Sequence, residues 1–391
     1  MDFNSFSLLG AARASAPDAG APNQTLAITG KWLPPLDGLR GLAIVMVMLF
    51  HYAMILNRHQ PLQRAVASLS DFGWTGVDLF FVLSGFLITG ILLDTSSATN
   101  YFNSFYTRRI LRIFPLYYLS LPLIFFVIAP ADAHPHTRIW YLFYAQNWVM
   151  TKVFFAGHYW SLAVEEQFYL LWPFVVRQFN RRQVLQIAIA GALAAVVLRL
   201  ALLAENVDPY YIYRNVFTRM DALLIGAACA CLIREEKAVR TLCSRTKWLW
   251  WMPVVMFAIL RLSSKGVGIH MPGTQRFGYT IIALAYAALL LGVVVTMGTE
   301  SLPQRVFTSG FMRVFGKYSY GAYVWHRMVA LAIQSSSRRL HLSLPWFMEL
   351  PAMFAATLAV SIGSYKVIER PFLALKSHFE PRYASALSRA E

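Results

Sequence analysis

The chain has 391 residues, 57% of them hydrophobic and only 14% charged, with a mean hydropathy of +0.49. A soluble protein carries about 25% charged residues, so the composition excludes soluble, disordered, fibrous and disulfide-stapled classes. The 35 Lys+Arg against 19 Asp+Glu give +16; such an excess would point to nucleic acid in a soluble domain, but no basic, aromatic-studded soluble domain exists here to bind it.

Apolar runs of roughly 18 or more residues recur from Leu36 to Val367, the signature of a polytopic, all-α membrane bundle. Residues 1–32 are rich in Ala, Ser, Pro, Gly and Asn and lack the basic start and apolar core of a signal peptide. They are expected to form a disordered cytoplasmic tail. A membrane domain is expected over 33–372, followed by a short cytoplasmic tail at 373–391.

Ten spans are predicted, at about 38–56, 74–93, 114–131, 159–177, 184–203, 219–233, 248–262, 277–296, 318–333 and 345–367. An eleventh apolar patch, Trp140 to Val149, is too short to cross at about 1.5 Å per residue and reads as a half-helix or interfacial segment. With the N-terminus inside, Lys+Arg favour the cytoplasmic connections over the outer ones by two to one, so both termini are expected in the cytoplasm. Counting Trp140–Val149 as a full span would place the basic stretch 234–247 outside. The three cysteines, Cys229, Cys231 and Cys243, lack metal-ligand spacing with His and read as packing residues, so no metal is expected.

Charged groups at bilayer depth cost ~3 kcal/mol or more on insertion scales and each asks for an explanation. In the first span, LDGLRGLAIVMVMLFHY, Arg40 and His51 are eleven positions apart, about three turns, so they share one face with a rise of roughly 16 Å. A snorkelling Arg with a His satisfied by a neighbouring helix would explain the pair. The alternative is a polar stripe leading inward to an imidazole.

The second span, GWTGVDLFFVLSGFLITG, offers Gly73, Gly76, Gly85 and Gly90 as close-approach positions. Asp78 is placed to anchor a buried polar network. Ser84 reads as packing unless a base lies beside it. Before the third span, NYFNSFYTRRILRIFPLYY carries Arg108, Arg109 and Arg112, the last two on one face. They are either positive-inside anchors or a forked clamp for the phosphates of a nucleotide-bearing donor such as coenzyme A.

The fourth span, HYWSLAVEEQFYLLWP, holds Glu165 and Glu166, about 100° apart on a helix, about one-third of the way in from the outer surface. One of them is expected to orient an imidazolium or accept a sugar hydroxyl, and otherwise they form an interhelical network. Arg219 and Asp221, in RMDALLIGAACA, are expected to pair structurally at the outer surface. His326, in KYSYGAYVWHRM, ranks below His51 as a site residue because Arg327 beside it hints at an ion-pair role.

Together these stretches resemble the acyltransferase-3 family of integral membrane acyltransferases, which acylate sugars of surface glycans. The matching residues are LDGLRG with Arg40 and His51, GVDLFFVLSGF (76–86), the Arg109/Arg112 pair, WSLAVEEQFYLLWP (160–173), RMDALLIG (219–226), SYGAYVWH (319–326) and ERPF (369–372). The resemblance spans about Leu36 to Phe372. It implies an acyl-CoA donor, usually acetyl-CoA, met at the cytoplasmic face by Arg109 and Arg112, with Arg108 and Arg40 beside them. It also implies a carbohydrate or glycolipid acceptor, His51 as the catalytic residue, and residence in a bacterial inner membrane. Larger relatives carry an extracytoplasmic hydrolase-like domain after the last helix, which this chain is expected to lack.

The residues read alone agree with that outline. His51 is the expected general base, with Glu165 or Glu166 steadying the ring and Asp78, Ser84, Asp221 and His326 in support. A covalent acyl-histidine route stays open. The rival from another class is a proton-coupled secondary transporter of a glycan or small molecule, against which stands the absence of a convincing internal repeat.

Overall fold

A computed structural model describes residues 33–128, 135–149, 154–263, 268–341 and 344–383. The expected N-terminal tail, 1–32, lies outside the described residues. Among the described residues there is no strand, and the fold is a helical bundle. Its long helices are α1 (Pro34–Tyr52), α2 (Gly76–Asp94), α3 (Tyr101–Pro122), α4 (Trp160–Gln178), α5 (Arg181–Ala204), α6 (Val216–Leu232), α7 (Thr246–Ser263), α8 (Tyr279–Val295), α9 (Ser319–Arg339) and α10 (Trp346–Ser364).

Each of the ten expected spans coincides with one of these helices. Seven of them (α1, α2, α3, α5, α6, α8 and α10) lie in stretches long and apolar enough to cross a membrane by length and composition. Of the other three, α4 and α9 are held back by the polar groups that make them interesting, Glu165 and Glu166 in one, His326 and Arg327 in the other. The patch at Trp140 is a short helix, Pro135–Leu142, followed by turns, which at about 1.5 Å per residue cannot cross.

Local signals set the helix ends. Proline occupies the first turn of α1, where its missing N–H costs nothing. Asn180 and Gln183 form a reciprocal capping box on α5, and the Asn215 side chain caps α6 by accepting from Phe217 N at 2.9 Å. The core is built on α1, α2, α4, α6 and α8, whose small residues admit close approach. A Cβ added at Gly85 would collide with the Leu223 carbonyl, and one at Gly226 with the Val82 carbonyl, so α2 and α6 touch backbone to backbone. Gly76 and Gly73 do the same for α2 and its lead-in against Ala43 and Met46 of α1. Large apolar side chains such as Leu171, Leu193, Val197 and Phe347 face outward, as a lipid-facing surface requires.

Helices α3 and α4 run antiparallel in a register fixed by tyrosines. Tyr101 donates to the Pro173 carbonyl at 3.0 Å and Tyr106 to the Leu170 carbonyl at 2.7 Å. The expected C-terminal tail, 373–391, is described as far as residue 383. Leu375–Phe379 forms a 3-10 turn that docks on the start of α3: Ser104 donates to Phe379 O at 2.7 Å, Asn100 to Glu380 O at 2.9 Å, and Arg382 N to Asn100 Oδ1 at 2.8 Å.

Candidate functional site

Four polar clusters lie inside the bundle. The first gathers cations. Arg108, Arg109 and Arg112 project from α3, and Arg112 faces the charges of Arg40, Arg109, Glu369 and Asp37. Arg40 holds Asp37 at 3.1 Å. Arg108, Arg109 and Arg112 make no ion pair within contact distance among the described residues, and Arg108 Nη1 and Arg109 Nε are buried without a hydrogen-bond partner. Buried guanidinium donors left open in this way are poised for an anion.

The α3–α4 register carries the first cluster into the second. Arg109 stacks over the Tyr169 ring at 4.3 Å. The Tyr169 hydroxyl lies 2.6 Å from Ser84 Oγ, and Ser84 donates to Glu165 Oε1 at 2.6 Å. Arg109 and Arg40 both act on the Glu165 charge, and Arg109 acts on Glu166. The two glutamates therefore sit on the arginine side of the histidines rather than beyond them. The expected contact of Glu165 or Glu166 with the His51 ring does not occur among the described hydrogen bonds. The reason is register: a helical turn and a half separates Glu165 from the end of α4 that meets the histidines. Ser84, read from sequence as packing, has a carboxylate beside it.

The third cluster is made of imidazoles. His326 Nε2 lies 3.2 Å from His51 Nδ1, with ring centroids 4.8 Å apart. His51 Nδ1 also meets the Val47 carbonyl at 2.9 Å, and His326 Nδ1 meets the Tyr323 carbonyl at 2.8 Å. A carbonyl can only accept, so both rings carry their proton on Nδ1. The His51 Nδ1–H is then shared between Val47 O and His326 Nε2, which leaves His51 Nε2 as the unprotonated, basic nitrogen. His326 is fully buried and holds the place beside the His51 ring at which the sequence leads one to expect a glutamate.

His158, just before α4, completes this cluster. Its ring centroid is 4.7 Å from that of His326 and 6.3 Å from that of His51. Its two nitrogens are buried without a hydrogen-bond partner. Sequence reasoning passed over it, although it opens the HYWSLAVEEQ stretch two residues before the helix that holds both glutamates. Tyr323 donates to the His158 carbonyl at 2.9 Å and is hydrogen-bonded to Ser161, which ties α9 to the start of α4.

Asp78 and Asp221 do not touch these clusters through any hydrogen bond among the described residues. Arg219 donates to Asp78 Oδ1 at 2.6 Å, and Arg199 donates to Asp221 Oδ2 at 2.9 Å, with Thr280 also donating to Asp221 Oδ2 at 2.6 Å. All four charged residues are at most 1% exposed. The expected pairing of Arg219 with Asp221 at the outer surface is thus corrected: the residues are two apart, about 200° around the helix, and face different neighbours. Asp78 does anchor a buried network, as its position implied, with Arg219 also stacked over Tyr279 at 4.0 Å. No group of three or more His, Cys, Asp or Glu among the described residues is arranged to hold a metal ion.

The helical membrane bundle thus carries Arg40 and, further along the same helix α1, the His51 imidazole, with the open guanidiniums of Arg108 and Arg109 on α3. Residues 34–366 match the model of the acyltransferase-3 family, an acyltransferase domain, and the chain belongs to that family. Relatives include the peptidoglycan O-acetyltransferase OatA of Listeria monocytogenes, 29% identical over 89% of this chain and 57% of that protein. The putative peptidoglycan O-acetyltransferase YrhL of Bacillus subtilis is 30% identical over 87% of this chain and 55% of its own length. The O-acetyltransferase OatA of Staphylococcus aureus is 27% identical, again over 87% of this chain and 57% of its own. The chain thus spans little more than half the length of these relatives. No solved structure matches it.

Proposed function

We propose that this protein moves an acyl group, acetyl by the names of its relatives, from acyl-CoA to a hydroxyl of a cell-envelope sugar polymer. The observation that carries this reading is the His51–His326 contact at 3.2 Å, on the helix that also presents Arg40 to the cation cluster. In this reading the phosphates of the donor lie at Arg40, Arg108, Arg109 and Arg112, which meet the cytoplasm. The thioester reaches inward along α1 toward His51.

The chemistry then balances within the site. His51 Nε2 takes the proton of the acceptor hydroxyl as its oxygen attacks the acyl carbonyl carbon. The new C–O bond forms, the C–S bond breaks, and the departing thiolate takes the proton back from the His51 imidazolium. His326 Nε2, accepting from His51 Nδ1–H, steadies the ring while it is charged. Ser84, Tyr169 and Glu165 hold Arg109 in place and supply hydrogen-bond partners along the path.

The test is turnover of labelled acetyl-CoA by the full chain in liposomes with an envelope glycan fraction as acceptor. Base-labile label on the glycan is expected. Movement of glycan across the bilayer without any acetyl transfer would replace this reading by a transporter.

A further inference from the structure

His158 is a buried polar ring whose nitrogens have no partner. It is 4% exposed, and neither ring nitrogen completes a hydrogen bond. The ring is nonetheless held in one place. Tyr323 donates to the His158 carbonyl at 2.9 Å and Ser161 at 3.2 Å. Edge-on contacts to Tyr159, His326 and Tyr323, at centroid distances of 4.7, 4.7 and 5.3 Å, fix its plane. Close packing around unanswered nitrogens is uncommon, since buried polar groups normally find a partner.

Its neighbours do not supply one. His326 has both nitrogens engaged, Nδ1 with the Tyr323 carbonyl at 2.8 Å and Nε2 with His51 Nδ1 at 3.2 Å. The Tyr323 carbonyl also faces His158 but completes no bond with it. The imidazole nitrogens left open in the cluster are therefore those of His158 and Nε2 of His51, on rings 6.3 Å apart. Space adjoins them. His51 and Gly157 are partly exposed, and a Cβ added at Gly157 would meet only Arg327 Nη1 among the described residues, at an ordinary 3.8 Å. Arg214 pins that opening by donating to the Gly157 carbonyl at 3.1 Å. Gly157 lies on the connection before α4, which the expected topology places on the outer side, where an envelope sugar arrives.

We infer that His158 is an acceptor-binding residue: its ring hydrogen-bonds a hydroxyl of the acceptor sugar, which reaches it past Gly157, and so sets the neighbouring hydroxyl against His51 Nε2. This rests on the acyl-transfer reading above and names the group that holds the acceptor. A hydroxyl both donates and accepts, so it satisfies His158 in either tautomer, whereas an acyl carbonyl can only accept. A sugar ring carries hydroxyls on adjacent carbons, which suits two open nitrogens on neighbouring rings.

The experiment measures acetyl transfer from acetyl-CoA to soluble peptidoglycan strands by the full chain in nanodiscs, as a function of strand concentration. His158→Phe keeps the ring contacts and removes the nitrogens. It should raise the KM for strands roughly 5- to 10-fold, the range for loss of one hydrogen bond, with acetyl-CoA affinity within about twofold of wild type. A ring that only packs would leave that KM unmoved. Gly157→Leu keeps His158 and fills the opening, so it should raise the same KM, whereas Gly157→Ala should change it little. This pair tests the idea even if His158→Phe does not fold. Unchanged KM in a folded His158→Phe variant, or in Gly157→Leu, overturns the proposal, as does a parallel loss of acetyl-CoA affinity. A wild-type protein that acetylates no strands would instead remove the acyl-transfer reading on which it rests.

Discussion

His326 and His51 divide one task between two helices. Removing the His326 ring by His326→Phe leaves His51 Nδ1–H on the Val47 carbonyl, so the tautomer survives and only the stabilisation of the charged ring is lost. Transfer should therefore fall by less than the ~100- to 10,000-fold typical of deleting a general base. Parallel rate measurements on His326→Phe and His51→Ala check the order; a larger loss in His326→Phe would make His326 the base. The buried pair of Arg219 and Asp78 belongs to the same scale. Asp78→Ala strands a guanidinium with no water to receive it, which costs about 3–5 kcal/mol. Thermal unfolding in detergent should show that loss, while Asp78→Ala/Arg219→Met together should recover part of it.

Among elements, the contact between α2 and α6 positions the second cluster. Ser84 sits beside Gly85, whose missing side chain lets the Leu223 carbonyl approach. Gly85→Val should destabilise the protein by about 1–3 kcal/mol or more, because a backbone carbonyl cannot rotate away as a side chain can. Gly310→Ala, which meets open space, is the matched control in the same unfolding assay. Seven of the helices were legible as long apolar runs flanked by polar turns, and the rest as shorter apolar stretches between such turns. Their partners were not. Arg219 and Asp221 are neighbours in sequence but point to α2 and α5, and no periodicity in one helix names the helix opposite.

At the scale of the molecule, the candidate site draws on α1, α2, α3, α4 and α9. His51 and Glu165 could be singled out because a polar or charged group in an apolar run stands out by itself, and Arg109 by its spacing from Arg112 on one helix face. His158 could not, since it precedes a span, where polar residues are ordinary. The Lys+Arg bias of the connections implies a topology that can be tested. Single cysteines at 234–247 should resist membrane-impermeant thiol reagents in intact cells, whereas those at 268–275 should react, once Cys229, Cys231 and Cys243 are replaced. The opposite pattern would invert the bundle and put the arginine cluster outside the cell.

In the proposed reading, donor binding and acyl transfer reside in different clusters joined by α1. His51→Ala removes the proposed base without touching the arginines, so it separates the two. Acetyl-CoA affinity and acetyl transfer to envelope glycan are to be measured on this variant and the wild type in the same nanodiscs. Affinity within about twofold of wild type, with transfer reduced ~100-fold or more, is the predicted result. Near-normal transfer, or loss of acetyl-CoA binding along with it, would contradict the assignment of His51 as the base.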